Sequence, residues 1–231
     1  MTAAAHPRVG IVVPVLNEAG TLPDLLAQLQ ALRDSDCAVD IVVVDGGSED
    51  GSAELVSAAQ LPLLSTASGR ARQMNAGAAA VDGDVLLFLH ADTQLPAHAL
   101  EAVRRAVAAG AHWGRFDVHI DGRARLLRVV ATLMNLRSRL SGIATGDQAM
   151  FARRDSFERV GRFPDQPLME DIELSRRLLR LGRPACLRLR ARTSGRRWER
   201  RGVWRTILLM WRLRWAYWRG ASPDVLARAY R

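Results

Sequence analysis

Residues Asp84–Thr93 read DVLLFLHADT, an apolar run from Val85 to Leu89 that breaks abruptly into His90, Asp92 and Thr93. A short apolar run bounded by polar residues fits a strand buried on both faces of a sheet. The polar residues then sit just past the strand, where an open α/β sheet exposes its ligand crevice at the carboxyl ends of its strands. A carboxylate there can hold a divalent cation against a phosphate. The rest of the chain is organised around this strand end.

Upstream, Val9 to Val15 is β-branched and apolar and predicts a first strand that runs into PVLNE, Pro14 to Glu18. Leu22, Leu25, Leu26, Leu29 and Leu32 recur at steps of three and four, the apolar face of a helix packed on the sheet. Ile41 to Val44 predicts a second strand ending in Asp45-Gly46-Gly47-Ser48, and a helix from Asp50 to Ala59 closes a βαβ unit. Leu61 to Leu64 is a weak third strand, after which SGRARQMNAG, Ser68 to Gly77, opens an Ala-rich helix with two arginines at its start. Downstream come a helix over Pro96 to Ala109, a strand over Trp113 to Ile120 with one buried face, and an amphipathic helix over Arg123 to Leu140. A loop from Gly142 to Gln148 follows; MEDIE, Met169 to Glu173, then opens a helix to Leu181, and a strand lies near Cys186. Strands alternating with helices predict an α/β fold with a mostly parallel central sheet. GxGxxG is absent after the first strand, as is GxxxxGK[ST], so neither the dinucleotide fingerprint nor the phosphate loop is in use.

At 231 residues and 48% hydrophobic content the chain can bury one sizeable core, and it holds no repeat or low-complexity tract. The expected division is a catalytic domain over residues 1–202 and a helical tail over residues 203–231. The N-terminus lacks the pattern of a signal peptide and no apolar run approaches the ~18 residues of a spanning helix. A cytoplasmic location is therefore expected, with disorder confined to Met1 to Pro7. Cys37 and Cys186 make neither a metal spacing nor a disulfide framework. The net charge of +9 is uneven: Met1 to Ser175 carry 16 Arg against 22 acids, net −6, and Arg176 to Arg231 carry 17 Arg against 2 acids, net +15. Such a tail calls for an anionic partner or an anionic membrane surface.

PVLNE, the Asp45 to Ser48 turn, Asn75-x-Gly77, the His90 to Thr93 strand end, Gly146-Asp147-Gln148 and Glu170-Asp171 appear in an order and spacing that resembles the family 2 glycosyltransferases of the GT-A fold. The resemblance covers residues 8 to 182. Gly220-x-x-Pro223 and Leu226 to Tyr230 look like the tail of a subgroup labelled arsenosugar-biosynthesis glycosyltransferases. The resemblance implies an inverting transfer of a sugar from a nucleoside-diphosphate sugar, UDP-linked, to an acceptor hydroxyl. Such a reaction needs a base pocket, a cation on the diphosphate and a group to deprotonate the acceptor.

On that reading Pro14, Asn17, Glu18 and Asp45 line the nucleoside, the alternative being that Asn17 and Asp45 cap turns. Arg70 or Arg72, with Asn75, meets the diphosphate at a helix start; Met74 stands where the family carries an arginine directly before the Asn. His90-Ala91-Asp92 stands in place of Asp-x-Asp. Asp92 supplies a carboxylate for Mg²⁺ or Mn²⁺, and a neutral His90 imidazole suits Mn²⁺, the alternative being a hydrogen-bonded strand-end histidine. Asp171, beside Glu170 at a helix start, is implied to be the general base, where an acid is otherwise a favourable partner of the helix dipole. Gly146, Asp147 and Gln148 are implied to form the acceptor side, with Trp113 offering either a stacking face or a core residue.

VWRTILLMWRLRWAYWR, Val203 to Arg219, holds four of the six tryptophans. On a helix Trp204, Trp211, Trp215 and Trp218 share a face with Leu208, and Arg205, Arg212 and Arg219 form a stripe beside it. Arg214 alone falls in the apolar arc, from which its stem is expected to snorkel outward. Trp beside Arg is the composition of a helix in the interface of an anionic membrane, which would set the cleft near a lipid-linked acceptor. The other position for this helix is packed on the catalytic domain or a second subunit. Two further function classes fit less well. A nucleotidyltransferase of related fold wants a Gly-rich basic loop after the first strand, where this chain has PVLNEAG. An Arg-rich nucleic-acid binder wants a recognisable module, and none is present, so no nucleic-acid partner is expected.

Overall fold

In the computed structural model, which describes residues 6–230, β1 (Val9–Val15) is buried along its whole length. Most of the Met1 to Pro7 segment expected to be disordered lies outside the described residues. α1 (Leu22–Ser35) buries Leu22, Leu25, Leu26 and Leu29, the predicted leucine face. β2 (Val39–Asp45), α2 (Ser52–Ala58), β3 (Leu63–Ser65), α3 (Arg70–Ala80) and β4 (Val85–Phe88) complete a parallel half-sheet in the order β3-β2-β1-β4. α3 lies unusually close to the strands. A Cβ at Gly77 would meet Val12 at 2.4 Å and Val44 at 2.9 Å, so the glycine of the Asn75-x-Gly77 motif is what lets this helix reach the sheet.

The second half of the sheet is mixed. β5 (Thr93–Gln94), α4 (Ala99–Ala108), β6 (Trp113–Asp121) and α5 (Leu126–Ser141) lead to a 3₁₀ turn at Gly146–Gln148 and then to β7 (Phe151–Arg153). β7 enters between β4 and β6 and pairs antiparallel with both. The chain arrives there from the carboxyl end of the sheet after the Gly142–Gln148 loop, so β7 must run backwards. β7 opposes both of its neighbours, and the sheet as a whole remains mostly parallel, as expected. α6 (Arg154–Arg159), α7 (Glu170–Leu178), β8 (Ala185–Ser194), α8 (Arg196–Arg201), α9 (Val203–Trp218) and α10 (Pro223–Tyr230) follow, with β8 parallel to β6.

Apolar side chains fill both faces of the sheet. One face packs on Leu25, Leu29, Val56, Leu100 and Val103, and the other on Met74, Ala78, Phe157, Phe163, Leu174 and Leu178. The far end of β6 buries Val118 and Ile120 against α5, with Val203 and Ile207 of α9 packed beside them. α9 and α10 cover Leu168 and Met169 through Leu213 and Leu226. One face of the tail helix therefore packs on the body of the protein. Trp204, Trp211, Trp215 and Trp218 on its other face are 61–77% exposed. Val129, Leu133, Leu136 and Leu140 make a second exposed apolar stripe along α5, at the same steps of four and three.

Candidate active site

The ends of β1 and β2 are bound together by side chains. Asp45 accepts from the backbone N–H groups of Gly47 (2.9 Å) and Ser48 (3.0 Å) and from the Ser48 hydroxyl. Asn17, at a positive φ of 54°, accepts from Glu49 N–H at 2.9 Å, and its own N–H donates to Ser48 Oγ at 2.9 Å. Both residues act as turn caps in this arrangement, which shapes the crevice wall. Glu18 accepts from the Thr21 hydroxyl at 2.9 Å and pairs with Arg196 at 3.2 Å. Pro14 is buried within β1, opposite Val44. Gln73 was not legible in advance. Its buried amide donates to the carbonyls of Val15 (2.7 Å) and Val44 (2.8 Å), holding the two strand ends at fixed separation.

Past β4, Ala91 is buried and Asp92 half-buried. Burial, then repulsion from Asp147, raises the Asp92 pKa; His90 works against this and Glu18 with it. His90 Nδ1 lies 3.5 Å from Asp147 Oδ1. The Cε1–Nε2 side of the ring covers Gly146, where an added Cβ would stand 2.0 Å from Cε1 and 2.1 Å from Nε2. The ring is thus held between Asp147 and Gly146. Its contact with Asp147 is that of the hydrogen-bonded strand-end histidine. Burial would raise the Asp147 pKa, but the hydrogen bond and charge of His90, with Arg70 and Arg197, hold it below the usual carboxylate range.

Across the cleft Met169 precedes α7 with a φ of 66°, unusual for a side chain of this size. Asp171 Oδ2 accepts from Gly146 N–H at 3.0 Å and Oδ1 from Ile172 N–H at 2.7 Å. The implied base is thereby tied to the 3₁₀ turn implied to form the acceptor side. Glu170 is buried at 3% exposure and faces Arg70 Nη1 at 3.4 Å. Burial raises the Glu170 pKa, Arg70 opposes this, and Asp171 adds to it. Arg70 is the reverse case. Burial disfavours its charge, yet Glu170, Asp171 and Asp147 together hold its pKa above the ordinary value.

The two arginines of the α3 motif separate in space. Arg72 leaves the site to pair with Asp165 at 2.9 Å, whereas Arg70 enters the carboxylate cluster. Asn75 donates to the carbonyl of Phe163 at 2.9 Å and accepts its N–H at 3.1 Å, so both ends of the amide clasp the loop before α7. Trp113 offers no stacking face. It is fully buried, with its indole N–H donating to Gly182 O at 2.9 Å, because β6 begins deep between β7 and β8. Gln148 is also buried, and its side chain accepts from Thr145 N–H at 3.2 Å as part of a capping box. Arg197 of α8, missed in the sequence, lies near enough to Asp147 and Asp92 to feel both charges; burial and Arg70 lower its pKa. Arg214 does not snorkel outward: its Nε is buried, within electrostatic reach of Asp171 and Asp147.

Among the described residues no group of three His, Cys, Asp or Glu side chains could by itself hold a metal ion. Mg²⁺-type cations commonly take one or two carboxylates and complete their shell with substrate phosphates and water. Asp92, raised in pKa by burial and a neighbouring acid, is a hard oxygen donor that suits this shared mode.

The family model for glycosyl transferase family 2 matches residues 10–161. The undecaprenyl-phosphate 4-deoxy-4-formamido-L-arabinose transferase of Sodalis glossinidius is 32% identical over 163 residues, 63% of this chain and 48% of that protein. Its Salmonella paratyphi A counterpart is 37% identical over 115 residues, 46% of this chain and 34% of that protein. The chain thus spans half or less of the length of these curated relatives. Among solved structures, the mannosyltransferase PcManGT of Pyrobaculum calidifontis, in complex with GDP-Man and Mn²⁺, superposes with a TM-score of 0.65 at 21% identity, over 97% of this chain and 69% of that one. S. aureus TarS 1–349 with UDP-GlcNAc gives 0.65 at 16% identity, over 81% of this chain and 58% of that one. The fold is that of these GT-A enzymes. With the family model matching residues 10–161, a stretch that runs from β1 to α6, the chain belongs to glycosyl transferase family 2.

Proposed function

We propose that this glycosyltransferase moves a sugar, with inversion at the anomeric carbon, from a UDP-linked donor to the hydroxyl of a lipid-linked acceptor at an anionic membrane surface. The observation that carries the reading is the convergence of Asp92, Arg70 and the Glu170-Asp171 pair at the end of β4, on elements far apart in sequence. In this scheme the nucleoside sits on the wall built by Pro14, Asn17, Glu18 and Asp45, and Arg70 at the start of α3 meets the diphosphate. Asp92, with the diphosphate, would hold Mg²⁺ or Mn²⁺, which supplies charge neutralisation to the leaving group. Asp171, fixed by Gly146 N–H, takes the proton of the acceptor hydroxyl as that oxygen attacks opposite the leaving phosphate. Glu170, buried against Arg70, keeps that guanidinium aimed into the cleft.

The lipid-linked acceptor is supported by relatives named for undecaprenyl phosphate and by the two exposed apolar stripes of α5 and α9. Asp171→Asn should leave nucleotide binding intact and lower turnover by about 10²- to 10⁴-fold. Asp92→Ala should weaken UDP binding only when Mg²⁺ or Mn²⁺ is present. Near-normal transfer by Asp171→Asn, or UDP affinity indifferent to metal in the parent chain, would remove these roles. A panel of nucleotide sugars scored for nucleoside-diphosphate release identifies the donor.

A further inference from the structure

Three buried guanidinium N–H groups near the acceptor side have no partner. They are Nε and Nη2 of Arg137, on α5, and Nε of Arg214, on α9. The two side chains are close enough for their charges to repel, and both feel Asp171 and Asp147. Burial, and then Arg214, pushes the Arg137 pKa down to about 10, so it remains a cation at neutral pH. Other half-buried arginines are treated differently by this fold. Arg154 donates to the carbonyls of Gly83, Ala78 and Val81, each at 2.7 Å, and Arg104 pairs with Asp36 at 2.6 Å. Arg115 keeps an unpartnered Nε but is neutralised by Asp117.

An unpartnered buried N–H and a pair of like charges both cost stability. Two forks of this kind, set side by side, have the donors and charge to take up a tetrahedral anion. On the proposed reading the donor diphosphate is met by Arg70 and the β4 end, which leaves these two forks without a ligand. Arg137 and Arg214 instead come from the two helices that carry the exposed apolar stripes.

We propose that Arg137 and Arg214 form the seat for the phosphoryl group of the acceptor. This inference rests on the glycosyltransferase reading for the word acceptor; the seat itself is a property of the two side chains. A phosphate held there lies between the Asp171 side of the cleft and the α5 and α9 surface, along which a lipid chain could run.

The test is binding by the full chain of inorganic phosphate, a short-chain isoprenyl monophosphate in detergent, and the corresponding alcohol, with UDP plus Mn²⁺ measured in parallel. Both phosphates should bind and the alcohol should not. An isoprenyl phosphate at least about tenfold tighter than inorganic phosphate identifies a lipid source, and equal affinities identify a soluble phosphomonoester. Arg137→Gln with Arg214→Gln should lose phosphate binding by about tenfold or more while UDP affinity stays within about twofold. Arg137→Met should raise the Tm in the absence of phosphate and abolish the Tm increase that phosphate gives the parent chain. Phosphates that bind no better than the alcohol would overturn the proposal, as would a double variant that keeps phosphate binding or loses UDP in the same proportion. A fall in Tm for Arg137→Met would do so too, since the arginine would then be structural. If the parent chain binds phosphate but neither UDP nor a nucleotide sugar, the donor reading fails and the seat stands.

Discussion

Gly146→Ala is the smallest change that reaches the centre of the site. The new methyl would stand 2.0 Å from His90 Cε1 and 2.1 Å from Nε2. Carbon atoms rest about 3.5–4.0 Å apart, so the ring must withdraw by about 1.5 Å. It has little room to do so, being 14% exposed, and any withdrawal disturbs its 3.5 Å contact with Asp147. The other adjustment, a shift of the 3₁₀ turn, stretches the 3.0 Å bond from Gly146 N–H to Asp171. Overpacking of this kind costs about 1–3 kcal/mol. In a chain of this size that lowers the Tm by about 2–12 °C. A displaced Asp171 should also cost turnover by up to about 100-fold. Thermal unfolding and donor turnover measure the two losses separately. Adding His90→Ala removes the obstacle and should restore most of the Tm, although not the orientation of Asp147. A Gly146→Ala protein with parental Tm and turnover would refute the reasoning, and so would a double variant no more stable than Gly146→Ala alone.

Four other outcomes follow from the geometry. Arg70→Ala should weaken UDP binding by about tenfold or more, whereas Arg72→Ala removes an exposed pair with Asp165 and should change stability by no more than about 1 kcal/mol and leave UDP affinity alone; titration calorimetry and thermal melts decide between the two. Trp113→Ala should destabilise the protein by about 3–5 kcal/mol in a denaturant titration, since the ring is fully buried, and a mild effect would contradict its core position. The Asp147 pKa is depressed in the folded protein, so its contribution is present above the unfolded carboxylate value and is lost as pH falls through the folded one. The Tm advantage over Asp147→Asn should therefore shrink on acidification below about pH 4, and a gap independent of pH would exclude it. Replacing Trp204, Trp211, Trp215 and Trp218 by Ser should release the protein from anionic liposomes in a flotation assay without lowering its Tm, because these rings are exposed.

The parallel half of the fold was legible because its signals are local. The β-branched run of β1, the leucines of α1 and the apolar run of β4 each carry their own period or boundary, and the structure keeps all three. The direction of β7 was not legible. Its three residues carry no orientation, which is imposed by where α5 and the 3₁₀ turn leave the chain. Within the site, carboxylates at strand and helix ends could be picked out by type and position, and Asp92, Glu170 and Asp171 do converge. What sequence could not separate was which of two neighbours turns inward. Arg70 and Arg72 lie two residues apart on α3, about 200° around the helix, and only the packing of the 163–169 loop sends one to Glu170 and the other to Asp165. Arg214 failed for a similar reason. A lone arginine in an apolar arc snorkels outward when the partner is lipid, but here that edge of α9 faces the carboxylates of the cleft. Arg137 and Gln73 had no sequence signal at all, since one is an ordinary arginine on an amphipathic helix and the other an ordinary glutamine beside it in type.

The exposed indoles of α9 also make the chain its own optical probe. Four of the six tryptophans sit on one water-facing stripe at 61–77% exposure, while Trp113 is sealed in the core. Indole emission moves to shorter wavelength and becomes harder to quench when water is replaced by an apolar medium. Unlabelled protein should therefore emit mostly from hydrated rings, with a smaller blue-shifted component from Trp113. Iodide or acrylamide added to the solution reads the stripe selectively, and whatever covers α9 announces itself as a spectral shift, with no dye and no engineered residue.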